Sequence, residues 1–201
     1  MIKTIFLDFD GVIRHWSGPE VTDAEMRLGV PKGTLFKQAF AKPFLIPAIT
    51  GEVTHEQWQE LVEQELAQAR SAQIAKQLIN AWNSASFEID HSFLEQIREI
   101  ATAAQIALVT NATSKLNLDL AACGLHGRFD LIINSSVIGI AKPDEGFYKK
   151  ALELAQTKAE QSIFIDDSHE NVTAAREIGI HAHHHTNKAD TIAFIQHCFS
   201  Q

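Results

Sequence analysis

Residues 5–12 are Ile5-Phe6-Leu7-Asp8-Phe9-Asp10-Gly11-Val12, an apolar run that leads into two carboxylates and a glycine. The apolar part is typical of a strand that is buried on both faces, as in a parallel sheet. Asp8 and Asp10 then lie at the carboxyl end of the strand, where open α/β sheets bind their ligands. Gly11 predicts a turn that gathers both carboxylates around one point.

Two carboxylates this close repel each other and lose hydration when they are brought together. A bound cation relieves the repulsion, and Mg²⁺ prefers carboxylate oxygen as its ligand. The pattern Asp-x-Asp-Gly alone fits a second interpretation equally well, in which one acid caps a helix and the other is solvated in a turn. The rest of the chain decides between these interpretations.

The composition is that of a globular protein with an acidic charge balance. Of 201 residues, 45% are hydrophobic and 21% are charged, and the net charge is −8. This charge argues against nucleic-acid and anionic-membrane partners, because both require a basic surface. No apolar run reaches the length of a membrane span, and the first one is too short for a signal peptide. Because the chain has only two cysteines, we expect a reduced, cytoplasmic protein. A monomer and a homodimer are both compatible with the sequence.

Residues 16–83 have helical periodicity and no strand pattern. Thr54 and Gln57 have the spacing of a capping box at the start of one helix, whereas Pro43 and Pro47 predict a loop. Consecutive amphipathic helices without a strand are typical of a small bundle. We therefore expect a helical-bundle domain that is inserted into the rest of the chain.

After this segment, apolar runs alternate with helical patterns. Four more buried strands are predicted, at 106–109, 131–133, 163–165 and 180–185. Strands that alternate with helices form a parallel sheet with right-handed crossovers. The sequence predicts an α/β, doubly wound (Rossmann-like) core of about five strands. Residues 1–15 and 84–201 would form this core, with 16–83 inserted.

Polar side chains follow three of the predicted strands or begin a helix at the same edge of the sheet. In chain order they are Asp8, Asp10, Thr110, Asn111, Lys142, Asp166 and Asp167. Because the carboxyl ends of parallel strands lie side by side, we expect these groups to converge on one crevice. Acids alone indicate a metal, whereas acids with a lysine and a hydroxyl indicate a metal together with phosphate. A carboxylate can attack phosphorus and form an aspartyl-phosphate.

These motifs resemble those of the haloacid dehalogenase superfamily of aspartate-nucleophile phosphohydrolases. Its four motifs occur here in the family's order, as Asp8-Phe9-Asp10-Gly11-Val12, Thr110-Asn111, Lys142-Pro143 and Asp166-Asp167-Ser168. The resemblance covers essentially the whole chain, and the helical insertion is similar to the cap domain of one subfamily. It implies a Mg²⁺-dependent phosphatase that acts on a small phosphorylated metabolite.

The resemblance implies roles for the two acids of the first motif. Asp8 would be the nucleophile and, through its other oxygen, a ligand of Mg²⁺. Asp10 would protonate the leaving alcohol and then activate the water that hydrolyses the aspartyl-phosphate, and its backbone carbonyl would contact the metal. Dehalogenases of the superfamily lack an acid at this position, which argues against dehalogenation. Phosphomutases keep it, so a sugar-phosphate mutase is the alternative within the family.

The resemblance also implies roles for the later motifs. Thr110 and the Asn111 amide would hold phosphate oxygens. Lys142 would bridge the nucleophile and the phosphoryl group. Asp167 would bind the metal directly, and Asp166 directly or through water.

A non-catalytic phospho-acceptor or binding module is the alternative from another class. Receiver domains also combine acids, a threonine and a lysine on a parallel sheet. In those domains the acid pair comes first in the chain and the acceptor aspartate later. Here the order is reversed and a helical segment is inserted, which favours the hydrolase.

The predicted loop of residues 13–19 follows the catalytic acids closely. We expect Gly11, Arg14 and His15 to lie beside the substrate phosphate and Trp16 to face the substrate. Solvent exposure or packing against the helical segment is the alternative for Arg14, His15 and Trp16. Trp58 and Trp82 lie on apolar helix faces and are predicted to be core residues.

The run from His181 to His185 would place three histidines on one face of a strand. We expect a surface cluster that titrates near neutral pH rather than a dedicated metal site. Cys123 and Cys198 are predicted to be small buried residues.

Overall fold

The computed structural model describes residues 1–201, and its centre is a sheet of five parallel strands. The strands of the chain are β1 (Thr4–Leu7), β2 (Arg14–Trp16), β3 (Phe87–Ile89), β4 (Gln105–Thr110), β5 (Leu131–Asn134), β6 (Ser162–Asp166) and β7 (His181–His184). The central sheet has the order β5-β4-β1-β6-β7, and β2 pairs with β3 in a separate ribbon. The predicted doubly wound parallel sheet is confirmed.

Helices cover both faces of this sheet and form the inserted segment. They are α1 (Glu20–Arg27), α2 (Thr34–Ala39), α3 (Lys42–Ile49), α4 (His55–Ala69), α5 (Ala72–Asn83), α6 (His91–Ile100), α7 (Leu116–Ala122), α8 (Ser135–Ile138), α9 (Glu145–Leu154), α10 (His169–Glu177) and α11 (Lys188–Phe199). No helix combines the length and the hydropathy that a membrane span requires.

The central strand β1 is buried because a hydrophobic layer covers each face of the sheet. Ile5 and Leu7 belong to one layer, together with Phe93 of α6. Phe6 belongs to the opposite layer, together with Phe147 of α9. All five side chains are at most 1% exposed. Each such burial stabilises the fold by about 1.5–3 kcal/mol, so the strand that leads to Asp8 is held firmly.

The register of the sheet brings the ends of three strands to one edge. Leu7, the last residue of β1, lies opposite Leu108 of β4 and Ile165 of β6. The residues that follow Leu7 therefore emerge between the last residues of the two neighbouring strands, Thr110 and Asp166. This is the topological basis of the site described below.

Helices α1–α5 form a layer with a hydrophobic core of its own. Leu35, Val62 and Leu78 are completely buried in it. Trp58 belongs to this core as predicted, whereas Trp82 is only partly buried and packs against its side. The helical segment thus has internal packing that is separate from the packing around the sheet.

Two local predictions, a capping box at the start of α4 and a loop at the position of α3, have different outcomes. The capping box is confirmed, because the Thr54 hydroxyl accepts from the Gln57 backbone and the Gln57 side chain accepts from the Thr54 backbone. The loop predicted from Pro43 and Pro47 is wrong, because these residues lie within α3. Pro43 is in the first helical turn, where its missing N–H is not required, and the helix ends two residues after Pro47.

The strands β2 and β3 form an antiparallel ribbon that joins the helical segment to the core. Arg14 pairs with Ile89, and Trp16 pairs with Phe87. The loop predicted for residues 13–19 is wrong at residues 14–16, which form β2. The strand was missed because three residues are too few to give an alternating pattern. The chain therefore enters and leaves the helical segment through two strands that are hydrogen-bonded to each other.

Candidate active site

Asp8 lies directly after β1 at the carboxyl edge of the sheet and is 7% exposed. The buried Lys142 ammonium donates hydrogen bonds to Asp8 Oδ1 at 2.8 Å and to Asp166 Oδ2 at 2.6 Å. It donates a third to the Val109 carbonyl at 3.1 Å. Lys142 is therefore held between the ends of β1, β4 and β6.

The side chain of Asn111 holds the backbone of Lys142. Asn111 Oδ1 accepts from the Lys142 N–H at 2.8 Å, and Nδ2 donates to the Lys142 carbonyl at 2.8 Å. Both polar atoms of this side chain therefore contact the Lys142 backbone, while Asn111 also lines the crevice. Thr110, the last residue of β4, lies beside the same crevice.

The carboxylates of this site carry more negative charge than one lysine balances. Burial raises the pKa of Asp8 to about 7, against the opposing effect of the Lys142 charge. Burial and the neighbouring Asp166 also raise the pKa of Asp167. Burial disfavours the charged form of Lys142, but the carboxylates of Asp8 and Asp166 outweigh it and raise the pKa of the lysine. An additional cation would stabilise the ionised carboxylates.

Asp8, Asp166 and Asp167 form one group of candidate metal ligands. Each offers a carboxylate oxygen, and these three oxygens lie within 4.8 Å of one another. Oxygen donors of this kind suit a hard cation such as Mg²⁺. The donor set and the surplus of negative charge both fit Mg²⁺.

The three carboxylates differ in how free they are to bind a metal. Asp166 is completely buried, and its oxygens accept from Lys142, from the Ser168 N–H at 2.8 Å and from Asn171 Nδ2 at 3.0 Å. Asp8 and Asp167, by contrast, face the open crevice. Asp8 and Asp167 are therefore the accessible ligands, and Asp166 supports Lys142 from beneath.

The carboxylate of Asp10 lies outside this group and is bound by two other side chains. Arg14 donates from Nε to Oδ1 at 2.7 Å and from Nη2 to Oδ2 at 2.8 Å, and Trp16 Nε1 donates to Oδ1 at 2.8 Å. Arg14 also donates to Asp119 at 3.0 Å and lies over the ring of Phe9. Arg14 is buried, and its guanidinium is directed at carboxylates rather than at the crevice.

Gly11 closes the turn after Asp10, and its backbone conformation requires glycine. Its φ is +82°, and its N–H donates to the Arg14 carbonyl at 2.8 Å. A Cβ at this position would lie 2.0 Å from Asp167 Oδ2. The absence of a side chain therefore allows Asp167 to approach the turn that follows Asp8 and Asp10.

A polar crevice of about 520 Å³ unites most of the predicted site residues. Its lining consists of Asp8, Asp10, Gly11, His15, Trp16, Thr110, Asn111, Lys142, Asp167 and Asn171. Arg14 and Asp166 lie behind this lining. Asn171 was not predicted. Asn171 lies in the first turn of the helix after the acid pair, and that position is the one signal that could have indicated it.

The histidines of residues 181–185 do not form a metal-binding group. His183 stacks on Phe194 with ring centroids 4.8 Å apart, while His184 contacts the Asp167 carbonyl. His185 is buried and contacts the Thr191 hydroxyl at 2.8 Å. The expected surface cluster is therefore correct only in part, because the rings point to different partners and one of them is buried.

The fold and the site together define an α/β protein with acids and a lysine at the carboxyl edge of its sheet. A family model described as a haloacid dehalogenase-like hydrolase matches residues 2–179. The chain therefore belongs to the haloacid dehalogenase-like hydrolase family, as the resemblance of its motifs implies.

Two curated relatives and one solved structure illustrate the family. Haloacid dehalogenase-like hydrolase domain-containing protein 3 from Bos taurus is 32% identical over 165 residues, which are 75% of this chain and 65% of that protein. GMP/IMP nucleotidase YrfG from Escherichia coli is 35% identical over 89 residues, or 44% of this chain and 39% of that protein. The chain thus spans less than two thirds of either relative.

The solved structure is the HAD family enzyme bt-2542 from Bacteroides thetaiotaomicron, in complex with magnesium and inorganic phosphate. It superposes with a TM-score of 0.72 at 20% identity, over 91% of this chain and 93% of that chain. At this identity the likeness shows a shared fold.

Proposed function

We propose that this protein is a Mg²⁺-dependent phosphatase that hydrolyses a phosphate monoester of a small metabolite through Asp8. The contact between Asp8 and Lys142 carries the proposal. It places a carboxylate in the lining of a polar crevice with a buried ammonium 2.8 Å away. A phosphoryl group that contacts both would meet a nucleophile and a positive charge together, which is most of what phosphoryl transfer requires.

In the proposed reaction the two acids have different roles. Asp8 attacks phosphorus while the bond from phosphorus to the alcohol oxygen breaks, and Asp10 gives its proton to that oxygen. Asp10 then takes a proton from a water, which attacks the aspartyl-phosphate, releases phosphate and regenerates Asp8. Mg²⁺ would be held by Asp8 and Asp167, with Asp166 adjacent, and when bound would offset the charge of the phosphate oxygens.

Two relatives support this choice of chemistry. One carries the name of a GMP/IMP nucleotidase, and one fold neighbour was solved with magnesium and inorganic phosphate. Asp10 supports it as well, because an acid beside the nucleophile serves an alcohol leaving group.

We further propose that residues 16–83 act as a cap domain over a core formed by residues 1–15 and 84–201. The helical segment has its own hydrophobic core and is joined to the sheet through the β2–β3 ribbon. His55 at the start of α4 contacts Thr113 and Ser114 in the loop after β4. Such a domain would exclude water from the crevice and contact the leaving group.

Phosphate release from para-nitrophenyl phosphate tests the proposed chemistry. We expect turnover with Mg²⁺, none with a chelator, and none in Asp8→Asn. The matched control is Asp23→Asn, which makes the same change at an exposed acid of α1 and should retain full activity. Phosphate release by a folded Asp8→Asn protein, or release at an undiminished rate in chelator, would contradict the proposal.

A further inference from the structure

A second cavity, of about 410 Å³, lies between the helical segment and the carboxyl edge of the sheet. It adjoins the polar crevice, because Asp10, Trp16 and Asn111 line both. Its volume is within the ~300–1,000 Å³ that is typical of small-molecule sites. A group attached to a phosphate in the crevice would extend past Asp10 into this space.

The lining of this cavity is rich in aromatic rings. They are Trp16, Phe36, Phe40, Trp58, Trp82 and Phe87. The rings contact one another, with the centroids of Trp58 and Trp82 4.9 Å apart and those of Phe36 and Phe40 5.5 Å apart. Every tryptophan of the chain therefore lines this one cavity.

Three of these rings are exposed to solvent, Phe87 at 37% and two others at more than half. Trp16 is 51% exposed and Phe40 is 52% exposed. They lie on opposite sides of the junction, one in β2 and the other at the end of α2. Apolar surface that is gathered in a cavity and left in contact with water indicates a binding site for an apolar group.

Two cations, Arg14 and Lys115, line the cavity, and both lie beside the Asp119 carboxylate. Arg14 is bound to both Asp10 and Asp119, with distances of 2.7 and 3.0 Å. Lys115 is paired with Asp119 at 3.7 Å. A second phosphate or a carboxylate on the ligand would therefore meet the negative charges of Asp10 and Asp119 together with these cations.

Some polar side chains of the lining are paired with neighbours, whereas His55 Nε2 is buried there without a partner. Gln59 Nε2 donates to Asn83 Oδ1 at 2.7 Å, and His55 Nδ1 lies 3.0 Å from the Thr113 hydroxyl. A sugar carries a hydroxyl on almost every carbon, and each one that is buried without a partner costs about 1–3 kcal/mol. An apolar body has no such cost.

We propose that the leaving group of the substrate is an alcohol with a bulky apolar body, held among the aromatic rings of this cavity. The inference rests on the proposed phosphatase function and adds the substrate class to it. Asp10 lies at the boundary of the two cavities, where the alcohol oxygen would be.

A series of primary alkyl phosphates tests this selectivity without a difference in leaving-group reactivity. The series comprises octyl phosphate, naphthylethyl phosphate, glycerol phosphate, a hexose phosphorylated at its primary hydroxyl, and guanosine monophosphate. We expect kcat/KM for the two apolar esters to exceed that for the three polar esters by at least about tenfold. A polar ester that is turned over as well as octyl phosphate would overturn the proposal.

Tryptophan fluorescence gives a readout that does not depend on turnover. Octyl phosphate added to the Asp8→Asn variant with Mg²⁺ should change the emission saturably, because all tryptophans line the cavity. The same titration with glycerol phosphate should leave the emission unchanged. Equal changes with both ligands would contradict an apolar site.

Phe40→Ala removes one aromatic ring from the cavity lining and so tests its contribution to substrate selectivity. The variant should fold, because Phe40 is half exposed. We expect kcat/KM for octyl phosphate to fall about tenfold, and kcat/KM for glycerol phosphate to stay the same. Leu61→Ala is the matched control, since Leu61 is a partly exposed apolar residue of α4 outside the cavity. A loss that is equal for both esters, or equal in both variants, would contradict the assignment.

The series also separates this inference from the function on which it rests. If para-nitrophenyl phosphate and every alkyl phosphate fail as substrates, the phosphatase function is wrong and the inference falls with it. If Asp8-dependent turnover occurs without a preference for apolar esters, the function stands and only the substrate class is wrong.

Discussion

Asp10 and Arg14 form a two-point ion pair, with Nε 2.7 Å from Oδ1 and Nη2 2.8 Å from Oδ2. The planar fork of an arginine matches the two oxygens of a carboxylate, so the pair fixes the orientation of Asp10 as well as its position. Arg14 is fixed in turn by Asp119. The sequence suggests a phosphate contact for Arg14, whereas the structure directs its guanidinium at the proposed general acid.

Arg14→Lys should therefore act through Asp10. A lysine keeps the charge but can contact one oxygen at a time, so Asp10 loses its fixed orientation. We expect kcat/KM for octyl phosphate to fall about 10- to 100-fold, and kcat/KM for para-nitrophenyl phosphate to fall much less, because kcat/KM reports the formation of the aspartyl-phosphate and a phenolate leaves without help from an acid. Arg128→Lys, in an exposed ion pair with Glu95, is the control. Equal losses for both substrates would contradict this role.

Gly11→Ala should weaken metal binding beyond the effect of backbone strain. Both Gly11 and Gly29 have positive φ, so alanine at either costs about 1–2 kcal/mol of folding free energy. A Cβ on Gly11 meets Asp167, whereas a Cβ on Gly29 has nothing within 4 Å. We expect Gly11→Ala alone to raise the Mg²⁺ concentration that gives half-maximal activity. Similar Mg²⁺ curves for the two variants would refute the role of Gly11.

Thr113→Val should loosen the contact between α4 and the loop after β4. The change leaves His55 Nδ1 without its partner at 3.0 Å, which should cost about 1 kcal/mol of unfolding free energy. The His55 amide, which donates to the Ser114 hydroxyl at 2.9 Å, should then exchange its hydrogen faster. Hydrogen exchange by NMR measures this directly, with Thr173→Val on α10 as control. Unchanged protection at His55 would show that Thr113 does not hold the helix.

His185 should make the stability of the protein fall as the pH falls. Burial lowers the pKa of His185 from its ordinary 6.5, so between pH 7 and pH 5 the unfolded chain takes up a proton that the folded chain resists. Stability is therefore lost below about pH 6.5. Asparagine can keep a hydrogen bond to Thr191, which lies 2.8 Å from Nδ1, and does not titrate.

Urea unfolding of wild type and His185→Asn at several pH values isolates this contribution. The unfolding free energy of wild type minus that of the variant should decrease as the pH is lowered from 7 to 5. Taking the difference removes the contribution of the carboxylates, including Asp8, whose raised pKa acts in the opposite direction. A difference that stays constant or grows would contradict the prediction.

The parallel sheet and the edge at which its site residues meet were predictable, because hydrophobic periodicity and the order of the motifs both indicated them. The apolar run before Asp8 indicated a central strand, and the polar residues after each strand indicated one edge of the sheet. That inference needs only the parallel topology, because parallel strands end on the same side. It brought Asp8, Lys142 and Asp167 together although they are far apart in the chain.

The direction of individual side chains was not predictable in the same way. Asn111 binds the Lys142 backbone and Arg14 binds Asp10, because these partners meet only after the sheet has formed. The helix at Pro43 was missed because proline is permitted in a first turn. The aromatic cavity was missed because helical spacing shows that Trp82 is on an apolar face but not that the face is left partly open.

The ribbon of β2 and β3 affects which helical segments can be attached to the sheet. Trp16 and Phe87 are direct neighbours across the ribbon, so the 17–86 stretch begins and ends at a single hydrogen-bonded joint. The entropy of closing a loop grows only slowly with its length, so stretches of very different size can be accommodated at this joint. A helical unit of another size could therefore be attached at this joint while the strands that carry Asp8, Thr110 and Asp166 keep their places in the sheet.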